Sequence, residues 1–167
     1  MIIKNIALAG HAGTGKTTLL EALLYQGGCV ERMGSVAAGT TVSDAAPEEI
    51  KRHSSVYTAT GSIMLDGQKI NLLDTPGMFD FAGGMVQGIS AADCVMITVS
   101  GKSGVRVGTK KAYRAAEGKP RMFVVTTSST GLVCPNTHSG SYLSTSGEPG
   151  KCSSPMLFLS GHSGRQR

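Results

Sequence analysis

A glycine-rich segment that ends in Lys16 and Thr17 carries the clearest chemical signal in the sequence. The run GHAGTGKT at residues 10–17 matches the pattern G-x-x-x-x-G-K-[ST]. Glycines let the backbone curl so that successive N–H groups face a phosphate, and the lysine places a cation on the β- and γ-phosphates. The Thr17 hydroxyl is of the type that coordinates Mg²⁺. The predicted phosphate-binding residues are Gly10, His11, Ala12, Gly13, Thr14, Gly15, Lys16, Thr17 and Thr18.

A second signal is Asp74-Thr75-Pro76-Gly77, which follows the apolar run 70–73. In this arrangement Asp74 can reach Mg²⁺, usually through water, and the Gly77 N–H can meet a γ-phosphate. A lone D-x-x-G is common in turns, but its place after a phosphate loop and a strand strengthens the prediction. We therefore expect Asp74 and Gly77 at the same nucleotide site, although neither motif separates ATP from GTP.

Hydroxyl side chains in the polar segment 28–53 and just after it are a third candidate set. Its members are Thr40, Thr41, Ser43, Ser54 and Ser55. Any of them could complete an Mg²⁺ coordination shell, since loops of this kind become ordered around a γ-phosphate. Each is also compatible with an ordinary solvated loop hydroxyl, so both interpretations stay open.

The elements that must position these residues alternate between strands and helices. Apolar runs predict strands at 2–9, 57–65, 69–73, 94–99 and 121–125. Helical spacing predicts helices at 17–26, 84–92 and 108–117, and Asp66-Gly67 predicts a hairpin turn. This alternation predicts an α/β fold of the P-loop NTPase type, with a mostly parallel sheet flanked by helices and incomplete at its C-terminal side.

Composition divides the chain near Val125. Residues 126–167 contain 10 serines and only 6 Leu, Ile, Val or Phe, which is too little apolar surface to offset the entropy of ordering. We therefore expect a nucleotide-binding unit at 1–125 and a Ser/Gly-rich tail at 126–167. With so little after it, the strand at 121–125 is expected to form an unprotected sheet edge.

The overall charge and hydropathy exclude several classes. The formal net charge is +5 and is divided between both parts, so no basic stripe predicts DNA binding. No apolar run approaches the ~20 residues of a membrane span, and no secretory leader is evident. The four cysteines lack metal-ligand spacing and are expected to be free thiols. We expect a cytoplasmic protein with no membrane or DNA partner.

The motifs together resemble the elongation factor G-like translational GTPases. The resemblance rests on Gly10-His11, Asp74-Thr75-Pro76-Gly77, the segment GTTVSD at 39–44 with PEE at 47–49, and GVRVGT at 104–109. It covers about residues 3–125 and implies the GTP-binding domain of a ribosome-dependent factor that uses GTP, GDP and Mg²⁺. Tetracycline-resistance ribosomal protection proteins resemble the same pattern and remain an alternative.

The resemblance also implies roles for individual residues. Lys16 and Gly77 would be catalytic, while Thr17, Ser55 and Asp74 would hold the metal. Ser55 falls where the family has its switch threonine, so a hydroxyl is retained. Met78, however, stands where the main branch has a histidine that positions the attacking water, and Gly13 replaces an aspartate of the phosphate loop.

The guanine-reading motif Asn-Lys-x-Asp is missing after the strand at 121–125, where Thr126-Thr127-Ser128-Ser129-Thr130 stands instead. If these residues are encoded by ACA-ACA-AGC-TCG-ACN, a shifted frame reads AAC-AAG-CTC-GAC, which encodes Asn-Lys-Leu-Asp. The tail is therefore either a frameshifted product or a divergent disordered segment. Three functions follow: a GTPase, a nucleotide-binding switch without useful turnover, or a fragment that does not bind nucleotide.

Overall fold

A computed structural model describes residues 2–126 and the strand at 157–160. Most of the predicted tail, including the residues at the expected guanine-reading position from 127 onward, lies outside the described residues. The structure therefore concerns mainly the part that carries the phosphate and metal motifs.

Six strands form one sheet in the order β2-β3-β1-β4-β5-β6. They are β1 (Ile3–Gly10), β2 (Ala59–Leu65), β3 (Gln68–Asp74), β4 (Cys94–Ser100), β5 (Arg121–Thr126) and β6 (Leu157–Ser160). The four strands β3, β1, β4 and β5 are parallel to one another, whereas β2 and β6 are antiparallel to their neighbours. The predicted hairpin and the mostly parallel sheet are confirmed.

Helices cover both faces of this sheet. They are α1 (Lys16–Gln26), α2 (Pro47–Arg52), α3 (Ala82–Ala91) and α4 (Val107–Ala115), with a single 3-10 turn at Phe79–Phe81. The fold class predicted from the sequence is confirmed. Helix α2 was not expected, because the segment 28–53 has the composition of an irregular loop. Among the described residues, no helix is long and apolar enough to cross a membrane.

The second half of β1, residues 7–10, is buried on both faces, which agrees with a continuous rather than alternating apolar run, whereas Ile3 at the start of the strand is exposed. Ala7 and Ala9 belong to a cluster with residues of α3 and α4. Leu8 faces the opposite side and packs with Leu19 and Leu20 of α1. The chain leaves β1 and β3 at the same edge of the sheet, so the turns after Gly10 and Asp74 lie side by side.

The expectation of an open edge at β5 is wrong. Strand β6 pairs with β5 antiparallel, with Val125 opposite Leu157. Three of the four residues of β6 are apolar, namely Leu157, Phe158 and Leu159, although the sequence around them is polar.

Candidate nucleotide-binding site

The turn between β1 and α1 has the backbone conformation that the glycine spacing predicts. Gly13 and Gly15 have φ values of 72° and 80°, in the left-handed region that glycine adopts without strain. A Cβ on Gly10 would collide with the side chain and carbonyl of Thr98 in β4. The loop therefore lies close against β4 because glycine stands at its start.

Hydroxyls from the neighbouring strands fix this loop. The Thr14 hydroxyl lies 2.7 Å from the Thr98 hydroxyl and donates to the carbonyl of His11 at 2.8 Å. Thr126, the last residue of β5, donates to the Thr14 carbonyl at 2.7 Å. Thr14 and Thr98 are buried, so these bonds are shielded from water. Sequence reasoning did not find Thr98 or a role for Thr126, because both contacts join distant segments.

Lys16 is buried beneath the loop. Its Nζ donates to the carbonyls of His11 (3.0 Å) and Gly10 (3.4 Å), and a Cβ on Gly77 would meet the same nitrogen. Burial lowers the pKa of Lys16, while Asp74 and Asp44 act in the opposite direction. Among the described residues its direct partners are carbonyls rather than a carboxylate. The ammonium is therefore placed to bind an anion next to the Gly77 backbone.

An oxygen-rich cluster lies beside Lys16. The Thr17 hydroxyl donates to Asp74 Oδ2 at 2.6 Å and lies 3.1 Å from the Ser55 hydroxyl. Asp74 is fully buried, and burial raises its pKa to about 6. The hydrogen bond from Thr17 and the positive charge of Lys16 lower the pKa, but their effect is smaller than that of burial. The structure thus brings together the three residues predicted to hold a metal.

Asp44 belongs to the same cluster and was missed from the sequence. It is 4% exposed, and burial raises its pKa. Both of its carboxylate oxygens, like Asp74 Oδ1, lack a hydrogen-bond partner among the described residues. Hydroxyls and partner-free carboxylate oxygens are ligands of the kind that Mg²⁺ prefers, so the residues present fit this ion. The described part has no cluster of three or more His, Cys, Asp or Glu that could hold a metal ion.

Two buried glutamates hold the long loop over this cluster. Glu21 of α1 accepts hydrogen bonds from the backbone N–H groups of Gly34 (3.0 Å) and Val42 (2.7 Å). Glu49 of α2 accepts from those of Val56 (2.9 Å) and Tyr57 (3.0 Å). These carboxylates accept hydrogen bonds from backbone N–H groups that would otherwise have no partner in the irregular loop. They also fix the path that brings Asp44 and Ser55 to the site.

The other loop hydroxyls have different positions. Ser54 lines the cavity described below, whereas Thr40 accepts a hydrogen bond from the Ser35 N–H and lies outside it. Thr41 Oγ1 and Ser43 Oγ are buried without a partner in the described part, and neither residue lines the cavity. Ser55 is therefore the one member of the predicted hydroxyl set that touches Thr17.

A cavity of about 220 Å³ joins the phosphate loop to the long loop. It is lined by Ala12, Gly13, Gly15, Lys16, Thr17, Thr18, Val36, Asp44, His53, Ser54, Ser55 and Gly77. Of the predicted phosphate-binding residues, Gly10, His11 and Thr14 support the loop from outside the cavity. Asp74 does not line the cavity, but it accepts a hydrogen bond from the cavity residue Thr17. Met78 does not line the cavity within the described part, whereas His53 does.

Comparisons with known proteins agree on one family. Residues 1–127 match the model of the elongation factor Tu GTP-binding domain. An elongation factor G-like protein of Mycobacterium tuberculosis is 43% identical over 126 residues, which cover 74% of this chain and 18% of the relative. A tetracycline resistance protein, TetS of Listeria monocytogenes, is 37% identical over 115 residues, covering 69% of this chain and 18% of that protein.

A solved structure from Thermus thermophilus has a TM-score of 0.72 and 46% identity, covering 74% of this chain and 19% of its own. The chain therefore spans about a fifth of the length of the proteins it matches. The similarity is concentrated in the part that contains β1 to β5 and the candidate site.

Proposed function

Because this chain belongs to the elongation factor Tu GTP-binding domain family, we propose that it binds GTP and GDP with Mg²⁺ and hydrolyses GTP slowly. The predicted resemblance to elongation factor G-like proteins over about residues 3–125 is confirmed.

The observation that carries the proposal is the buried Lys16 ammonium at the N-terminal end of α1. Its Nζ bonds only to carbonyls among the described residues, and the Gly77 backbone lies against it. The start of a helix adds partial positive charge and free N–H groups. A nucleotide's β- and γ-phosphates would satisfy this cation, with Gly77 N–H donating to the γ-phosphate. Residues 10–18 would surround the phosphates.

Thr17, Ser55 and Asp74 would hold Mg²⁺, and Asp44 adds a second carboxylate to this set. The ion, when bound, would supply positive charge that offsets the negative charge of the phosphates. Asp74 would keep the Thr17 hydroxyl oriented through their 2.6 Å hydrogen bond. The Ser55 hydroxyl, 3.1 Å from that of Thr17, would link the long loop to the occupied site.

Turnover is proposed to be slow because Met78 offers only a thioether sulfur, a weak acceptor that orients an attacking water poorly. Lys16 and Gly77 would still stabilise the charge that develops on the γ-phosphate. A nucleotide-dependent switch with little hydrolysis is the second candidate, and Met78 is the residue that favours it.

The names of the relatives suggest the cellular setting. We propose that the chain acts on the ribosome in the cytoplasm as part of an elongation factor G-like translation factor. The match to a tetracycline resistance protein keeps ribosomal protection as the alternative. Since the chain spans 18% of these relatives, domains that they have beyond the matched region would be needed for either activity.

Equilibrium binding of fluorescent GDP and GTP to the purified chain tests the proposal, with and without Mg²⁺. Lys16→Ala should weaken binding at least about 100-fold, because it removes a buried charge from the phosphates. Lys102→Ala changes an exposed lysine in the turn after β4 and is the matched control. Equal loss in both variants, or no binding by the parent chain, would contradict the proposal and leave a fragment that does not bind nucleotide.

Competition with unlabelled ATP then tests base selection. Displacement by GTP alone would mean that a guanine site exists despite the sequence at 126–130. Equal displacement by ATP and GTP would mean that the phosphate site works and that guanine selection is lost.

A further inference from the structure

His53 is the histidine that lines the candidate cavity. It shares this cavity with Lys16, Ser55 and Gly77, the residues proposed to surround the γ-phosphate and the metal. The Met78 side chain, which follows Gly77, lines no part of it in the described chain. A residue with a hydrogen-bonding ring thus lines the cavity, contributed by the end of α2 rather than by the segment after β3.

The backbone of His53 is held in an unfavourable conformation. It has φ 49° and ψ 40°, in the left-handed region, and its N–H bonds to the carbonyls of Glu49 and Ile50 at the end of α2. Glycine is the usual residue at such a helix end, because a side chain there costs about 1 kcal/mol. A histidine retained at this position, facing a cavity, is a candidate for a functional role.

The ring is also oriented by a hydrogen bond. His53 Nδ1 lies 3.2 Å from the Val36 carbonyl oxygen. A carbonyl can only accept, so this bond requires the proton to be on Nδ1. In the neutral ring Nε2 then carries a lone pair and acts as an acceptor. Val36 lines the cavity as well, so the bond holds the ring at the cavity wall.

We propose that His53 Nε2 accepts a hydrogen bond from the water that attacks the γ-phosphate, the function that Met78 cannot perform. This inference rests on the proposed GTP hydrolysis and adds a residue to it. The water oxygen forms a bond to the γ-phosphorus while the bond from that phosphorus to the β–γ bridging oxygen breaks. The bridging oxygen keeps the electron pair on GDP, and the water proton passes to the released phosphate. His53 orients the water and gains no net proton.

Single-turnover hydrolysis of γ-labelled GTP by the full chain tests this role, with GTP affinity and thermal stability measured for every variant. His53→Gly removes the ring and relieves the backbone. It should lower the hydrolysis rate at least about tenfold and leave the dissociation constant for GTP within about twofold. His53→Gln restores an acceptor of similar reach and should keep the rate within about threefold of the parent, as glutamine can orient water.

Asp66→Gly is the matched control. Asp66 also has a positive φ, 48°, but it lies in the β2–β3 turn and does not line the cavity. Its rate should equal that of the parent, which separates relief of backbone strain from loss of the ring.

Three results would overturn the proposal. One is parental hydrolysis by a His53→Gly variant that binds GTP normally, and another is an equal loss in the Gly and Gln variants. The third is a parent chain that binds GTP but gives no measurable hydrolysis, which would leave the proposed binding function standing. Failure of the parent to bind GTP would instead refute the proposed function itself, and this proposal with it.

Discussion

Replacing Asp74 with asparagine should stabilise the metal-free protein at neutral pH, although it removes a carboxylate from the candidate site. Asp74 is fully buried, and its pKa is raised to about 6, mainly by burial. Asparagine keeps an oxygen that can accept the hydrogen bond from Thr17 and carries no charge. The change therefore removes the cost of a buried carboxylate while it keeps the local packing.

The sign of the pH dependence follows from the direction of the pKa change. The folded state holds the Asp74 proton more tightly than the unfolded state, whose pKa is near the ordinary 3.8. Stability is therefore lost as pH rises from about 4 to about 6, and the full penalty is present above that range. The difference between 3.8 and about 6 corresponds to about 3 kcal/mol at 1.36 kcal/mol for each pH unit.

Thermal unfolding in EDTA at pH 4.5 and pH 8 measures this effect. At pH 8 the Asp74→Asn variant should unfold about 6–12 °C above the parent, since about 3 kcal/mol moves Tm by roughly this amount in a chain of this size. At pH 4.5 the advantage should shrink to about a third. Mg²⁺ with GDP should raise the Tm of the parent more than that of the variant. An advantage of equal size at both pH values, or a variant less stable at pH 8, would refute the reasoning.

Three further outcomes are expected. Thr98→Val removes the hydroxyl that meets Thr14 and should weaken GDP binding about fivefold, by about 1 kcal/mol; unchanged affinity in a titration would contradict a supporting role. Glu21→Gln replaces one of the two accepting carboxylate oxygens by an NH2 group, so either the Gly34 or the Val42 N–H loses its acceptor and faces a donor; hydrogen exchange in residues 34–42 should therefore accelerate about tenfold or more, with exchange in β4 as the unchanged reference. Sequencing the coding DNA should give bases such as ACA-ACA-AGC-TCG-ACN at residues 126–130, and bases whose shifted frame does not encode Asn-Lys-x-Asp would reject the frameshift.

The backbone geometry of the segment 10–17 could be predicted because its information is local, while its role in phosphate binding stays a prediction. Glycine at positions 10, 13 and 15 determines the backbone angles that the structure has, and Lys16 and Thr17 follow in fixed order on the first turn of α1. Asp74 and Gly77 were predictable for a similar reason, since a strand ends at Asp74 and its parallel neighbour ends at the loop.

Asp44 and His53 were not predicted as site residues, because their positions depend on the path of the long loop. That path is set by Glu21 and Glu49, which accept hydrogen bonds from backbone groups far along the chain. Every residue except proline carries a backbone N–H, so the residue types at 34, 42, 56 and 57 do not indicate these contacts. The proline that begins α2 was the available local signal, since proline suits the first turn of a helix.

The buried charges also explain why a nucleotide and a divalent cation are expected together. Burial lowers the pKa of Lys16 and raises those of Asp44 and Asp74, so each group is costly to keep ionised. A polyphosphate alone would favour the ammonium and repel the two carboxylates, while a cation alone would do the reverse. Mg²⁺ bound with the phosphates would satisfy all three groups, so under the proposed function each ligand should raise the affinity for the other by the same factor. The placement of one cation and two carboxylates beside one cavity thus favours the metal–nucleotide complex over either component.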